Sequence, residues 1–288
     1  MIQGGCKDTR GLSWAARFKF ARHQALAIVG YKKRVRLTLR DADGCCEISA
    51  PDGSVFRASP ISWRAYRKGF AARLRDLDRT YQFKALDPPP GPVLDVGAHA
   101  GEFSLLALNE GRTVYAVEPD PDALACLRRN LSDRNSLTVI DALVWKAEEE
   151  LIFTLATSKA DSSIFGADDP AKATGVVCRR ATTLDRIAED HGIDGLAFLK
   201  CDAEGAEPEV LEGGRELLRR TARIAIDTGP ERKGHRTSDD CEALLRDAGF
   251  RVRTRQRGRI VTYGTRGCKI SRHLTEIPTV LDRSSYDI

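Results

Sequence analysis

The chain has 288 residues, 42% hydrophobic and 30% charged, enough for one large α/β domain with an appended segment or for two small domains. No apolar run approaches the roughly 20 residues that cross a bilayer; "ALAIVG" is too short for a signal peptide and runs at once into "YKKRVR", so a soluble, non-secreted protein is expected. The eight cysteines include the neighbours Cys45 and Cys46 but neither C-x-x-C nor a Cys/His zinc spacing, and they read as reduced thiols of a cytoplasmic protein. The net charge of +5 is unevenly spread. Residues 1 to 90 hold 18 basic and 8 acidic side chains, residues 91 to 250 hold 19 and 30, and residues 251 to 288 hold 9 and 3. An acidic body lies between two basic ends.

In chain order, "GLSWAARFKFARHQALAIVG" predicts a basic helix ending near Gly30, with Leu12, Trp14 and Phe18 available to one face. That face would dock on the protein's own body, or else lie on a membrane surface. The runs "RVRLTLR", "CCEISA" and "SVFRAS", separated by "DADG" and "PDG", predict a β-meander. Helical pattern resumes at "ISWRAYRKGFAARLRDLDRTYQFKAL" and stops at "DPPPGP". This places an accessory segment, a cover for the substrate, at residues 1–90, a main domain at 91–265 and a tail at 266–288. Beyond the prolines, strands and helices alternate from "PVLDVG" through "TVYAVE" and "LTVIDALV", which means βαβ units and a parallel sheet. An inserted strand pair follows around "SKADSSIFGADDPAKATG"; then come "TTLDRIAEDHG" helix, "LAFLKCD" strand, "EPEVLEGGRELLRR" helix, "ARIAID" strand and "DDCEALLRDAG" helix. "FRVRTRQ" and "IVTYGT" close the domain as an edge hairpin.

The turn "VLDVGAHAGEFS" follows a buried strand and opens a helix, so it lies at the carboxyl edge of the sheet, where ligands bind. A dinucleotide fingerprint aligned on Gly97 would need glycines at positions occupied by His99 and Glu102, and Glu102 would repel a pyrophosphate at the helix start. What remains is D-x-G-x-x-x-G, formed by Asp95, Gly97 and Gly101, with Glu118 ending the next strand. An acid at that strand end suits a ribose diol, Asp95 can face an amine, and Gly97 lets the backbone come close. S-adenosylmethionine has a ribose, an amine and no phosphate.

"VLDVGAHAGEFS", "VYAVEPDP" and above all "TTLDRIAEDHGIDGLAFLKCDAEGAEPEVLEGG" resemble the FkbM family of S-adenosylmethionine-dependent methyltransferases over about residues 91 to 230. The resemblance implies a seven-stranded, mostly parallel Rossmann-like sheet and methyl transfer to a hydroxyl of a sugar, polyketide or other specialised metabolite. Carried over by position, it implies cofactor contacts at Asp95, Gly97, Ala98, Gly101, Glu118, Pro119, Asp141 and Ala142, and matches Asp202, Glu204, Gly205 and Glu207 to the family's D-x-E-G-x-E. Three residues depart from the family: His99 replaces an Asn, Pro208 an aliphatic residue, and Asp227 a commoner glutamate. His99 is read as a hydrogen-bonding residue near the cofactor's amino-acid end.

Methyl transfer is an in-line displacement, and an alcohol acceptor must also lose a proton. Asp202 at the end of the fourth strand is the first candidate base and His235 in the loop after the fifth strand the second. Glu204, Glu207, Ser162 and Ser163 are candidate substrate contacts, although Glu207 would equally cap the helix that starts there. No metal is expected; were Mg²⁺ to bind, Asp202 and Asp227 would hold it. Arginines 251, 253, 255, 257 and 259 fall at alternate positions, suited to an anionic substrate or to an edge strand protected by charge. No aromatic residue interleaves them, so nucleic acid is not expected. N-methylation of an amine or peptide remains an alternative, as does a non-catalytic protein that binds an acidic partner.

Overall fold

The computed structural model describes residues 14–42, 45–156, 162–166 and 173–266. Leu12, the side chain of Trp14 and the tail beyond Arg266 lie outside the described residues.

Helix α1 (Trp14–Ile28) buries Phe20, His23 and Ala27, which recur at helical spacing, and leaves the opposite side exposed. Phe18 falls on the exposed side. The meander forms as expected: β1 (Thr38–Ala42), β2 (Cys45–Ser49) and β3 (Val55–Ala58) pair antiparallel in that order. The helix expected from Ile61 onward is two pieces, a 3₁₀ turn over Pro60–Tyr66 and then α2 (Phe70–Tyr81). In a 3₁₀ turn side chains three apart share a face, which lets Trp63 and Tyr66 both point into the core.

The main body continues with β4 (Val93–Val96), α3 (Glu102–Asn109), β5 (Val114–Val117), α4 (Pro121–Asn130) and β6 (Leu137–Ile140). After β7 (Leu143–Val144) come the inserted strands β8 (Glu150–Ala156) and β9 (Ala173–Thr182), then α5 (Leu184–Asp190) and β10 (Leu196–Cys201). The chain goes on through α6 (Glu207–Glu212), α7 (Arg215–Arg219), β11 (Thr221–Asp227) and α8 (Ser238–Asp247), and closes with β12 (Arg251–Arg257) and β13 (Arg259–Thr265). Seven strands form one sheet in the order β12-β13-β11-β10-β4-β5-β6. All run parallel except β13, which is antiparallel to both its neighbours. This is the expected Rossmann-like sheet with an antiparallel edge hairpin. Strand order reverses between β4 and β10, so a crevice opens at their carboxyl ends.

Two elements divide where the sequence suggested one. "LTVIDALV" splits after Ile140: β6 stays in the sheet, and β7 leaves it to pair with β9. The helix after β10 breaks between α6 and α7 because a side chain on Gly213 would stand 2.3 Å from the Trp145 carbonyl oxygen, so the backbones meet there without one.

The segment before the prolines packs tightly on this body. Leu77, Tyr81 and Phe83 share a core with Phe103 and Phe198, and Phe20, Ile48 and Trp63 share another with Ala100 and Cys126. The expectation of reduced thiols is corrected at two positions: Cys45 of β2 and Cys126 of α4 form a disulfide, with Cα atoms 6.0 Å apart. Because the meander lies against α4, two cysteines distant in sequence come together, and cysteine usage no longer argues for a reducing compartment. No helix among the described residues is long and apolar enough to cross a membrane.

Candidate active site

The turn after β4 is shaped by one close approach. Gly97 has φ +69°, and a Cβ there would lie 1.9 Å from the Asp202 carbonyl oxygen. Only glycine lets the β4 and β10 ends come this close. Behind the turn, Lys200 and Asp95 sit side by side on adjacent parallel strands and pair at 3.1 Å, both buried. Lys200 Nζ also donates to the carbonyls of Gly97 (2.7 Å) and Val96 (3.1 Å), while Ser104 Oγ donates to Asp95 Oδ2 at 2.7 Å. Burial opposes the charge on Lys200, but Asp95 and Asp202 outweigh it and hold the ammonium protonated. Asp95 therefore does not face a ligand amine; its charge anchors the lysine that fixes the turn.

In front of the turn lies a cleft with about 630 Å³ of space between its walls, part of it open solvent. Its apolar walls include Val117, Ala142, Leu143, Val144, Phe153 and Ile164, and its polar lining includes Gly97, His99, Glu118, Ser162, Asp202 and Glu204. Among the described residues, no lysine or arginine is in its lining. Glu118 is oriented by two backbone donors, His99 N–H to Oε2 (2.6 Å) and Asp120 N–H to Oε1 (2.8 Å). Burial nonetheless pushes its carboxyl up to about 7.

Of the residues expected at the cofactor, Gly97, His99, Glu118, Pro119 and Ala142 line this cleft, and Asp95, Ala98, Gly101 and Asp141 do not. Ala98 is packed in the core, Gly101 starts α3 against Leu127 and Leu131, and Asp141 is spent on an ion pair with Arg179 at the exposed rim. The expected repulsion by Glu102 is corrected as well. Its carboxylate points away from the cleft, into an array with Tyr66 (2.9 Å), Arg73 (3.1 Å) and His99 Nδ1 (3.3 Å). Burial alone would raise its pKa, but Arg73, His99 and Tyr66 hold it well below the ordinary range. The same partner raises His99 against its own burial. The acids that line the cleft are Glu118, Asp202 and Glu204.

Asp202 stands in the cleft with one oxygen engaged. Its Oδ2 accepts from Tyr81 Oη (2.7 Å) and Arg259 Nη1 (2.8 Å), while Oδ1 is buried with no hydrogen-bond partner. Burial raises its pKa, but Arg259, Lys200 and Tyr81 together hold it below the carboxylate range. Arg259 also lies 2.7 Å from Asp227, an ion pair without hydrogen-bond alignment. Asp202, Asp227 and Glu231 come within 4.8 Å of one another, close enough for a single cation to bridge, and the guanidinium of Arg259 already brings positive charge to two of the three. Burial and the neighbouring Asp202 charge push Asp227 up to about 6, and burial with both aspartates pushes Glu231 up to about 9.

The other candidates divide. Ser162 lines the cleft, donates to Asp120 Oδ2 (2.8 Å) and accepts from Ala156 N (3.0 Å). Ser163 donates to the Glu204 carbonyl at 2.9 Å. The pair thus ties the inserted loop to the loops after β5 and β10. Glu207 is fully buried and accepts from Ala203 N, Gly205 N and Thr237 Oγ1, so it ties its own loop to the one before α8 and is not among the residues that line the cleft. His235 is exposed and is not brought to the cleft. Sequence reasoning missed Tyr81, Lys200, Arg259 and Glu231; a lysine inside a buried strand was a signal for one of them.

Comparison with known proteins identifies the family. Residues 95–252 match the model of the methyltransferase FkbM domain. The 2-O-methyltransferase NoeI of Sinorhizobium fredii is 22% identical over 174 residues, covering 55% of this chain and 72% of that protein. The methyltransferase sdnD of Sordaria araneosa is 28% identical over 214 residues, covering 62% and 80%. A fibrillarin of Aeropyrum pernix overlaps with a TM-score of 0.39 at 16% identity, over 80% of this chain and 100% of that one, and adds nothing to what the strand order establishes. The chain belongs to the FkbM methyltransferase family.

Proposed function

We propose that this methyltransferase transfers the methyl group of S-adenosylmethionine to a hydroxyl of a small metabolite or glycan. The observation that carries the reading is Asp202, a carboxylate that lines the cleft and is held ionised by Arg259, Lys200 and Tyr81. The residues present fit the cofactor. Among the described residues, the cleft brings acids and no arginine or lysine to its lining, as suits a cationic, phosphate-free ligand, and Glu118 is aimed for a ribose diol beside apolar walls suited to adenine. Bound there, S-adenosylmethionine supplies an electrophilic methyl on a sulfonium. Asp202, whose side chain lines the cleft and is 15% exposed, accepts the acceptor hydroxyl's hydrogen bond and then its proton. That proton becomes strongly acidic as the new C–O bond forms, which lets a carboxylate of low basicity take it late in the transfer. Tyr81 and Arg259 fix the carboxylate's direction. The 2-O-methyltransferase relative supports a hydroxyl as the acceptor.

Calorimetry with S-adenosylmethionine and its demethylated product tests the cofactor; absence of binding would overturn it. Asp202→Asn tests the chemistry, with turnover expected to fall about 10² to 10⁴-fold while cofactor affinity persists. Full turnover in that variant would remove Asp202 from the mechanism. The same assay with and without chelator reads any metal dependence.

A further inference from the structure

We propose that the turn after α1 is an anionic-membrane docking tip, at which Ile28, Val29 and Tyr31 enter the lipid interface while Lys32 and Lys33 engage acidic headgroups. From Thr9 to Arg40 the chain contains no acidic residue and nine lysines and arginines. Helix α1 spends one face on the core, so the surface it leaves outward is basic. At its end the apolar side chains are not buried: Ile28 is 67% exposed, Val29 74% and Tyr31 42%. Exposed large apolar residues are ordinarily scattered singly, and three within four positions make a patch that calls for an occupant.

The backbone at this point is shaped to project. Gly30, Lys32 and Lys33 have φ of 68°, 49° and 56°, and the turn is closed by Gly30 N–H to Ala27 O (3.1 Å), Lys33 N–H to Gly30 O (3.2 Å) and Arg34 N–H to Tyr31 O (3.1 Å). Two lysines in left-handed geometry are costly, and the conformation holds Tyr31 between Lys32 Nζ at 5.4 Å and Arg34 Cζ at 5.7 Å from its ring centre. An amphipathic ring flanked by cations is an interfacial anchor, and the adjoining aliphatic pair supplies the part that enters hydrocarbon. Nucleic acid fits less well: Tyr31 offers one ring face, but the more exposed Ile28 and Val29 beside it offer a base none and are left in water.

The test is sedimentation of the full chain with vesicles of phosphatidylcholine alone and of phosphatidylcholine mixed with phosphatidylglycerol. Binding is expected only to the mixed vesicles, weakened by added salt. Ile28→Ser with Val29→Ser should weaken it about tenfold, and Lys32→Glu with Lys33→Glu by at least as much, at about fivefold per cation. Unchanged circular dichroism and melting of both variants would tie these losses to the surface itself. Equal binding to both vesicle types, no binding to either, or indifference to both double variants would overturn the proposal. So would tight binding of a ribo-oligonucleotide that needs Lys32 and Lys33 but not Ile28 and Val29, which would make the patch a polyanion site.

Discussion

Cofactor affinity should strengthen as pH rises through 7, because Glu118 must be ionised to accept both hydroxyls of a ribose. Burial holds this carboxyl up at about 7 in the free protein. A ligand that donates to the carboxylate favours the ionised form, so binding must expel a proton wherever Glu118 is protonated. At pH 6 only about one molecule in eleven is ready, and apparent affinity should be about tenfold weaker than at pH 8, or about 1.4 kcal/mol. Calorimetric titration with S-adenosylmethionine at pH 6, 7 and 8 reads this directly. Other groups titrate nearby: Glu207 is also held at about 7 by burial and Asp227 at about 6. Glu118→Gln separates them, since the other groups remain. The variant should bind more weakly at pH 8 and lose most of the pH slope. A slope unchanged by the substitution, or affinity in the unmodified protein that is flat between pH 6 and 8, would refute the assignment of Glu118 to the ribose.

Replacing Lys200 by Met leaves the buried Asp95 carboxylate without its cation and should lower stability by about 3 to 5 kcal/mol in urea denaturation; a loss under 1 kcal/mol, on the order of an exposed ion pair, would mean the pair is not the anchor described. His235 is exposed and away from the cleft, so His235→Ala should leave kcat/KM within about twofold, as surface changes do, and a collapse of turnover would show that its loop closes over the substrate. Reducing the Cys45–Cys126 bridge, which closes a sequence separation of 81, should cost about 4.5 kcal/mol on the chain-entropy account. Thiol titration before and after denaturation, alongside the melting curve, checks that the bond is present.

The sheet was legible because its signal is local. Each of β4, β5, β10 and β11 is a short, nearly continuous apolar run, as strands covered on both faces must be, and "DPPPGP" punctuates the chain ahead of them. Lys200 could have been found by the same reasoning. A lysine in the middle of such a run needs a buried anion, and once β4 and β10 are neighbours Asp95 is the residue beside it. Tyr81 and Arg259 carried no comparable sign. They reach Asp202 from the end of α2 and the start of β13, 121 and 57 residues away in sequence, through packing that no periodicity encodes. Arg259 in particular was indistinguishable from the alternating arginines before it, yet it alone turns inward to Asp202 and Asp227.

The replacement of the family's asparagine by His99 takes a different meaning from these contacts. His99 has φ +51°, a conformation that asparagine adopts more readily than histidine. The local backbone therefore favours asparagine, and a compensation must lie in the side chain. That compensation is the array in which His99 Nδ1 meets Glu102, itself held by Tyr66 and Arg73 of the segment before the prolines. An asparagine would keep the turn but shorten the reach to Glu102, weakening a link between cleft lining and accessory segment. His99→Asn should then leave the cleft's backbone intact, with its cost confined to the Glu102 array. Asp202 shows the same division of labour: the sheet places it at the cleft, and Tyr81 of α2 orients the oxygen. The accessory segment is thus bound to the cleft's surroundings at two separate carboxylates, Glu102 and Asp202, so an element outside the sheet helps set the geometry of the cleft.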